Sequence, residues 1–154
     1  MNDDILIGGI GADSLYGEAG NDVLIGDIST TLFGNDVLRG GTGNDLMSGG
    51  GGADQFLFNP ADGTDTIGKV AVDYVTPSNS ALIGADFQSG LDAVVLAGFG
   101  YSTPEEAFSH VTDQSGTATF SDQGTTIIFY GLSVSELSAD DFVVVPAAED
   151  TVLV

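Results

Sequence analysis

Large apolar residues recur at a regular spacing through the first part of the chain. Each one is the middle residue of a three-residue segment, and together they are Leu6, Leu15, Leu24, Leu38, Met47 and Phe56. Side chains alternate between the two faces of a β-strand, so only the middle residue of such a segment can point into a core. The pattern therefore predicts a stack of short strands that contribute one inward residue each.

A glycine-rich loop that ends in Asp comes before these strands. Residues 40–45 read Gly-Gly-Thr-Gly-Asn-Asp, and residues 49–54 read Gly-Gly-Gly-Gly-Ala-Asp. The spacing between successive loop-final Asp residues is nine, except for one gap of fourteen between Asp22 and Asp36. The five extra residues, 29–33, are expected to bulge from the rim of the stack.

These units match the pattern G-G-x-G-x-D-x-U-x, in which U is a large apolar residue. The pattern resembles the RTX family of calcium-binding nonapeptide repeats, and the match covers residues 1–66. The resemblance implies an all-β fold, in which a parallel β-roll is followed by an antiparallel β capping region with short helices. It also implies that calcium ions lie between the stacked loops.

Calcium prefers six to eight oxygen ligands, and glycine lets a loop turn its carbonyl groups toward one point. By resemblance, the side-chain ligands are the sixth-position residues Asp4, Asp13, Asp22, Asp36, Asp45 and Asp54. The carbonyl ligands are expected from Gly8, Gly9, Ile10, Gly11, Gly17, Ala19, Gly20, Gly26, Ile28, Gly34, Gly40, Gly41, Thr42, Gly43, Gly49, Gly50, Gly51 and Gly52. Asp62 and Asp65 are expected to close a further site, which gives about four to six ions in all.

Alternate loops of a β-roll share an edge, because one coil uses two nonamers. The expected columns are therefore Asp4, Asp22 and Asp45 on one edge, and Asp13, Asp36 and Asp54 on the other. Glu18 and Asp27 replace the second glycine of their loops, and the insertion follows Ile28. The sites around Asp36 consequently fit the pattern least well.

The charge balance favours a chain that needs cations to fold. There are 23 acidic residues against Arg39 and Lys69, a net charge of −21. Such a charge opposes compaction and repels nucleic acid and anionic membrane surfaces. A disordered acidic chain is the alternative, but the regular placement of Asp favours bound cations. There is no Cys to form a disulfide and no apolar run long enough to span a membrane.

The second part of the chain, residues 67–154, is expected to cap the roll. One outer face of the roll is apolar, with Ile5, Ile7, Val23, Ile25 and Leu46, and it needs a cover. The predicted elements are strands at residues 82–87 and 93–97, a helix from Pro104 to about Val111, a hairpin of residues 117–120 and 125–130, helical turns within residues 135–141, and a strand at residues 142–145.

The last residues, 149–154, read Glu-Asp-Thr-Val-Leu-Val. They resemble the uncleaved C-terminal signal of proteins exported by type I secretion, and the N-terminus has no secretory signal. Because the chain begins inside a repeat, we expect it to be a piece of a longer protein. A type I exporter and an upstream catalytic domain are the partners that the resemblance implies.

The sequence thus predicts a secreted, extracellular, non-catalytic calcium-binding module that aids the export and folding of an attached protein. A stand-alone extracellular structural or adhesive protein remains the alternative. An enzyme is disfavoured, since the acidic pairs Glu105/Glu106 and Asp140/Asp141 lie where helices begin. The lone His110 offers no histidine metal site, and the acidic loops would repel a nucleotide phosphate.

Overall fold

The computed structural model describes residues 2–28, 31–68, 70–71, 82–83 and 87–145. In chain order its strands are β1 (Ile5–Ile7), β2 (Ser14–Ala19), β3 (Val23–Ile25), β4 (Val37–Thr42), β5 (Leu46–Ser48), β6 (Gln55–Phe58), β7 (Gly63–Ile67), β8 (Val70–Ala71), β9 (Leu82–Ile83), β10 (Ala93–Ala97), β11 (Val111–Asp113), β12 (Ala118–Asp122), β13 (Thr125–Phe129) and β14 (Phe142–Val145). Helix α1 spans Pro104–Phe108, and two short 3-10 helices span Val134–Glu136 and Ala139–Asp141.

Two sheets face each other across the core. The seven-stranded sheet has the order β1-β3-β5-β7-β13-β12-β11, and the five-stranded sheet has the order β14-β10-β6-β4-β2. Successive strands of the repeat region alternate between the two sheets, and each pairs in parallel with the strand two places along the chain. This arrangement confirms the predicted parallel β-roll.

The middle residue of each repeat strand points between the sheets, as the spacing predicts. Leu24, Leu38 and Met47 are completely buried, whereas Leu6 at the start of the roll is half-buried. A single inward residue per strand gives a thin core. The cap thickens it with aromatic side chains, such as Phe87, whose ring lies 5.3 Å from that of Phe129.

The cap continues both sheets of the roll. On one side β13 pairs in parallel with β7, and β12 and β11 follow in antiparallel order. On the other side β10 pairs in parallel with β6, and β14 pairs in parallel with β10. Among the described residues the antiparallel pairs of the cap are those of β11–β13 and the separate two-stranded sheet of β8 and β9, while β10 and β14 extend the parallel stack.

The apolar outer face of the seven-stranded sheet is covered only in part. Ile25 and Ser48, which point outward from β3 and β5, are buried, and β8 lies against β5. Ile5 and Ile7 at the start of the roll remain 56% and 37% exposed. Among the described residues β8 thus supplies part of a cover, while the first coil keeps two exposed apolar side chains.

In the cap, turn and capping residues predict the turns and the start of the helix better than they predict where the helix ends. Gln123 and Gly124 join β12 to β13, and both have positive φ, as a two-residue hairpin turn requires. Thr103 caps α1 by accepting a hydrogen bond from the N–H of Glu106. The predicted end of this helix is wrong: α1 stops at Phe108, and Val111 begins β11 because it pairs with Phe120 of β12.

In the described ranges no helix is both long and apolar enough to cross a membrane. The predicted export signal at residues 149–154, Lys69 and residues 84–86 of the predicted strand at residues 82–87 lie outside the described residues.

Candidate metal centre

Loop-final Asp residues form two columns, one along each edge of the roll. In the first column Oδ1 of Asp22 accepts the N–H of Asp4 at 2.7 Å, and Oδ1 of Asp45 accepts the N–H of Asp22 at 2.8 Å. In the second, Oδ1 of Asp36 accepts the N–H of Asp13 at 2.9 Å, and Asp54 does the same for Asp36. The columns contain the residues that the spacing assigns to each edge. Each carboxylate after the first in its column uses one oxygen to hold the preceding coil in register.

The other carboxylate oxygen in these columns has no partner. Oδ2 is buried and makes no hydrogen bond in six residues of the repeat loops: Asp13, Asp22, Asp36, Asp45, Asp54 and Asp65. Burying an ionised oxygen without a partner is strongly unfavourable. A row of such oxygens along each edge therefore calls for positive charge that the described side chains do not supply.

Burial raises the pKa of several of these acids, as expected for carboxylates that have no positive charge beside them. It raises the pKa of Asp54 to about 7, and repulsion from the neighbouring Asp92 and Asp36 adds to the effect. Burial likewise raises the pKa of Asp65 to about 7 and that of Asp36 to about 6. Hydrogen bonds from backbone N–H groups oppose the rise but do not cancel it.

The glycines leave the space that these oxygens occupy. Gly8 and Asp13 stand at the two ends of one loop, and a Cβ at Gly8 would lie 2.7 Å from Oδ2 of Asp13. Gly26, Gly40 and Gly49 stand in the same relation to the terminal Asp of their own loops, with still closer approach. The first glycine of each repeat is needed because any side chain there would overlap the free oxygen.

Stacked loops also approach each other through glycine. The carbonyl oxygen of Gly20 points at the α-carbon of Gly43 in the next coil, and the carbonyl of Gly43 points at Gly63. On the other edge, the carbonyl of Gly34 points at Gly52 in the same way. Other carbonyls lie beside the free carboxylate oxygens, because a Cβ at Gly17 would lie 2.5 Å from Oδ2 of Asp22 and 2.7 Å from the carbonyl oxygen of Gly40.

This donor set fits calcium. Across the described ranges no three acidic or histidine side chains gather closely enough to hold an ion by themselves. The arrangement instead offers one or two carboxylate oxygens together with backbone carbonyls, all hard oxygen ligands of the kind that calcium takes. That each predicted loop residue is a ligand remains a prediction, but the orphaned oxygens lie where a cation would satisfy them.

The last acids of the predicted set behave differently from one another. Asp65 extends the first column, since its Oδ1 accepts the N–H of Asp45 at 2.9 Å. Asp62 does not join a column: its Oδ2 accepts the N–H of Asn59, and its own N–H donates to Thr125 Oγ1. Asp62 is thus a turn residue, yet its charge contributes to the raised pKa of Asp65, so the two acids lie near each other and a shared site remains a prediction.

Asp92, in the cap, completes the second column. Its Oδ1 accepts the N–H of Asp54 at 3.0 Å, and its Oδ2 accepts the N–H of Gln88 at 2.7 Å. Both oxygens of Asp92 therefore have hydrogen-bond partners. Asp92 closes a turn, and the row of unpartnered carboxylate oxygens ends at Asp54. Nothing in its local sequence resembles the repeat, so the spacing could not have placed it in this column.

The acids considered for catalysis serve as caps. Glu106 accepts the N–H of Ser102 ahead of α1. Asp141 accepts hydrogen bonds from Ser89 Oγ, from the N–H of Gly90 and from the N–H of Ser138. One acid of each pair therefore has a structural role: Glu106 caps α1, and Asp141 caps its own 3-10 helix and ties it to the turn at Ser89 and Gly90.

Comparison with known proteins gives the following matches. A family model of four copies of the RTX calcium-binding nonapeptide repeat matches residues 2–29 and 30–67. Among solved structures, the extracellular lipase LipA from Serratia marcescens aligns with a TM-score of 0.59 and 21% identity, over 90% of this chain and 20% of the lipase. The AlgE6R3 subunit of mannuronan C5-epimerase from Azotobacter vinelandii aligns with a TM-score of 0.55 and 25% identity, over 99% of this chain and 83% of that subunit.

Both structural matches extend past the repeats into the cap, so the likeness covers the fold of the roll and cap together. The chain spans about a fifth of the length of the lipase. No curated protein matches it in sequence.

Proposed function

Because residues 2–67 belong to the RTX family of calcium-binding nonapeptide repeats, we propose that this chain is a calcium-dependent folding module of a secreted protein. Its task is to support type I export and extracellular folding of an attached protein, such as an enzyme. RTX repeats are a calcium-binding structural unit, not a catalytic one. The observation that carries the proposal is the two rows of buried carboxylate oxygens without a partner.

The chain's own residues would act in two ways. From the second coil on, each repeat Asp of a column uses Oδ1 to fix the preceding coil and presents Oδ2, together with nearby carbonyls, to a cation. Bound calcium supplies the positive charge and accepts the oxygen ligands. Without that charge the repulsion among the acids keeps the coils apart, so the chain stays open where calcium is scarce.

Several finer points belong to the proposal. We place the ligands at the six sixth-position Asp residues of the repeats and at Asp65, with carbonyls from the glycine-rich positions, and we expect about four to six calcium ions. Extracellular modules commonly hold calcium weakly, at about 10⁻⁴–10⁻³ M, which suits release of an unfolded chain from a calcium-poor cytosol. Secretion to the cell exterior, a type I exporter and an upstream catalytic domain are the expected setting.

Deletion of residues 149–154 tests the export part of the proposal. The expected result is a sharp loss of secretion by a type I exporter in a reconstituted bacterial host, with calcium-induced folding of the purified chain nearly unchanged. The physical reason is that β14 already ends the five-stranded sheet at Val145. Secretion is measured as the fraction of protein in the medium, and folding by circular dichroism.

A matched control replaces Glu149 and Asp150 by Gln and Asn, which keeps the length of the tail. Undiminished secretion of the deletion variant would remove the export signal from the proposal. Loss of calcium-induced folding would instead assign the tail to the cap.

A further inference from the structure

Asp27 occupies an unusual position in the roll. It stands second in the widened loop, where the repeat pattern has glycine, and its side chain is completely buried. Its N–H donates to the carbonyl of Gly49 in the next coil at 3.0 Å. A Cβ at Gly50 would lie 2.7 Å from the Cβ of Asp27, so the two loops are packed tightly at this point.

One oxygen of Asp27 has an evident structural task. Oδ2 accepts the N–H of Gly34 at 2.8 Å and so closes the loop across the five-residue insertion. This bond explains how the widened loop returns to register, and Asp36 keeps its place in the second column as a result. A loop clamp of this kind needs only one acceptor atom.

The other oxygen is not explained by the clamp. Oδ1 of Asp27 is buried and makes no hydrogen bond. Asp36 and Asp54, the column acids on this edge, also have unpartnered Oδ2 atoms. Burial is the main cause that raises the pKa of Asp36 and of Asp54, and the nearby negative charge of Asp27 adds to both shifts.

Glu18 provides the contrast. It also replaces the second glycine of a repeat loop, on the other edge of the roll, but unlike Asp27 it has a positive φ, of 72°. Its side chain is exposed to solvent. The two loops therefore hold the acid at this position in different backbone conformations, and only Asp27 has a buried carboxylate.

We propose that Oδ1 of Asp27 is a calcium ligand, so that the widened loop forms a site with one more carboxylate than the regular repeats offer. This inference rests on the proposed function of the chain. More negative charge around a site strengthens its hold on calcium, so the widened loop is the tightest site in the second column. The departure from the repeat pattern adds a ligand there.

The test compares Asp27→Asn with Glu18→Gln by equilibrium dialysis against radioactive calcium. Asn keeps an oxygen for the N–H of Gly34, so the clamp survives, but it removes the charge and the second oxygen. We expect Asp27→Asn to lose one bound ion or to weaken the tightest site by about tenfold or more, since even partners that only orient a ligand are worth about that much. Glu18→Gln, with the same change of charge, should bind as the unaltered chain does.

Equal binding by the two variants would overturn the role of Asp27 and leave the proposed function standing. An unaltered chain that binds no calcium would overturn both. If Asp27→Asn does not fold at any calcium concentration, crystals of the unaltered chain grown in calcium decide the matter. An anomalous peak about 2.3–2.6 Å from Oδ1 of Asp27 supports the site, and its absence, with peaks present at other loops, refutes it.

Discussion

In a calcium chelator this chain should be largely unfolded, and millimolar calcium should convert it cooperatively to β-structure. The net charge is −21, and the buried oxygens of the two columns have no partner among the described side chains. Calcium binding would then supply most of the folding free energy, which for a domain is about 5–15 kcal/mol. Circular dichroism during a calcium titration measures this transition directly.

Magnesium is the matched control for the same titration. It demands near-ideal octahedral geometry and gives up its water reluctantly. Loops built from fixed carbonyls and shared carboxylates suit it poorly, so it should promote little folding at the same concentration. A chain that is fully folded in chelator, or that folds equally well with magnesium, would contradict the calcium-dependent module.

Replacing Asp45 by Ala should weaken calcium-induced folding more than any change to a surface acid. Asp45 is 2% exposed and lies within its column, where its Oδ1 accepts the N–H of Asp22 and its own N–H donates to Asp65. The substitution removes a buried acceptor and a candidate ligand from two adjoining coils. We expect the calcium midpoint to rise by about tenfold or more and the Hill slope to fall.

The control for this variant has to be an acid without a structural bond. Asp122 lies beside the hairpin turn, yet it accepts a hydrogen bond from the hydroxyl of Tyr101 at 2.5 Å, so its removal would disturb the cap. Asp140 is exposed at the start of a 3-10 helix and serves better. Similar midpoints for Asp45→Ala and Asp140→Ala would mean that total charge, and not position in a column, governs folding.

The repeat spacing predicts most of the roll because the roll is locally determined. A nine-residue period fixes which residue of each strand points inward and which loops share an edge, so the burial of Leu24 and the column position of Asp45 both follow from it. The turn at Gln123 and Gly124 is equally local. These features depend on a few neighbouring residues, and the sequence contains all of them.

The features that the sequence does not predict depend on distant partners. Asp92 joins the second column across 38 residues from Asp54, and β14 pairs with β10 although helix α1 lies between them in the chain. Val111 leaves the predicted helix because a strand is available to pair with it. In the sequence Asp27 is only a departure from the repeat pattern. The structure shows that its two carboxylate oxygens have different surroundings, one hydrogen-bonded to Gly34 and one without a partner.

The two ends of the roll have unequal neighbours. Within the described residues β1 pairs only with β3 and β2 only with β4, while the last repeat strands, β6 and β7, are sandwiched between the roll and the cap. In a stack held by nearest-neighbour contacts, opening an end coil breaks one interface, whereas opening a middle coil breaks two. As an isolated chain, residues 1–154 should therefore fray from the first coil, and amide hydrogen exchange should slow progressively from β1 toward β7. Local stability should therefore rise along the roll from β1, where Ile5 and Ile7 are exposed to water, toward the cap.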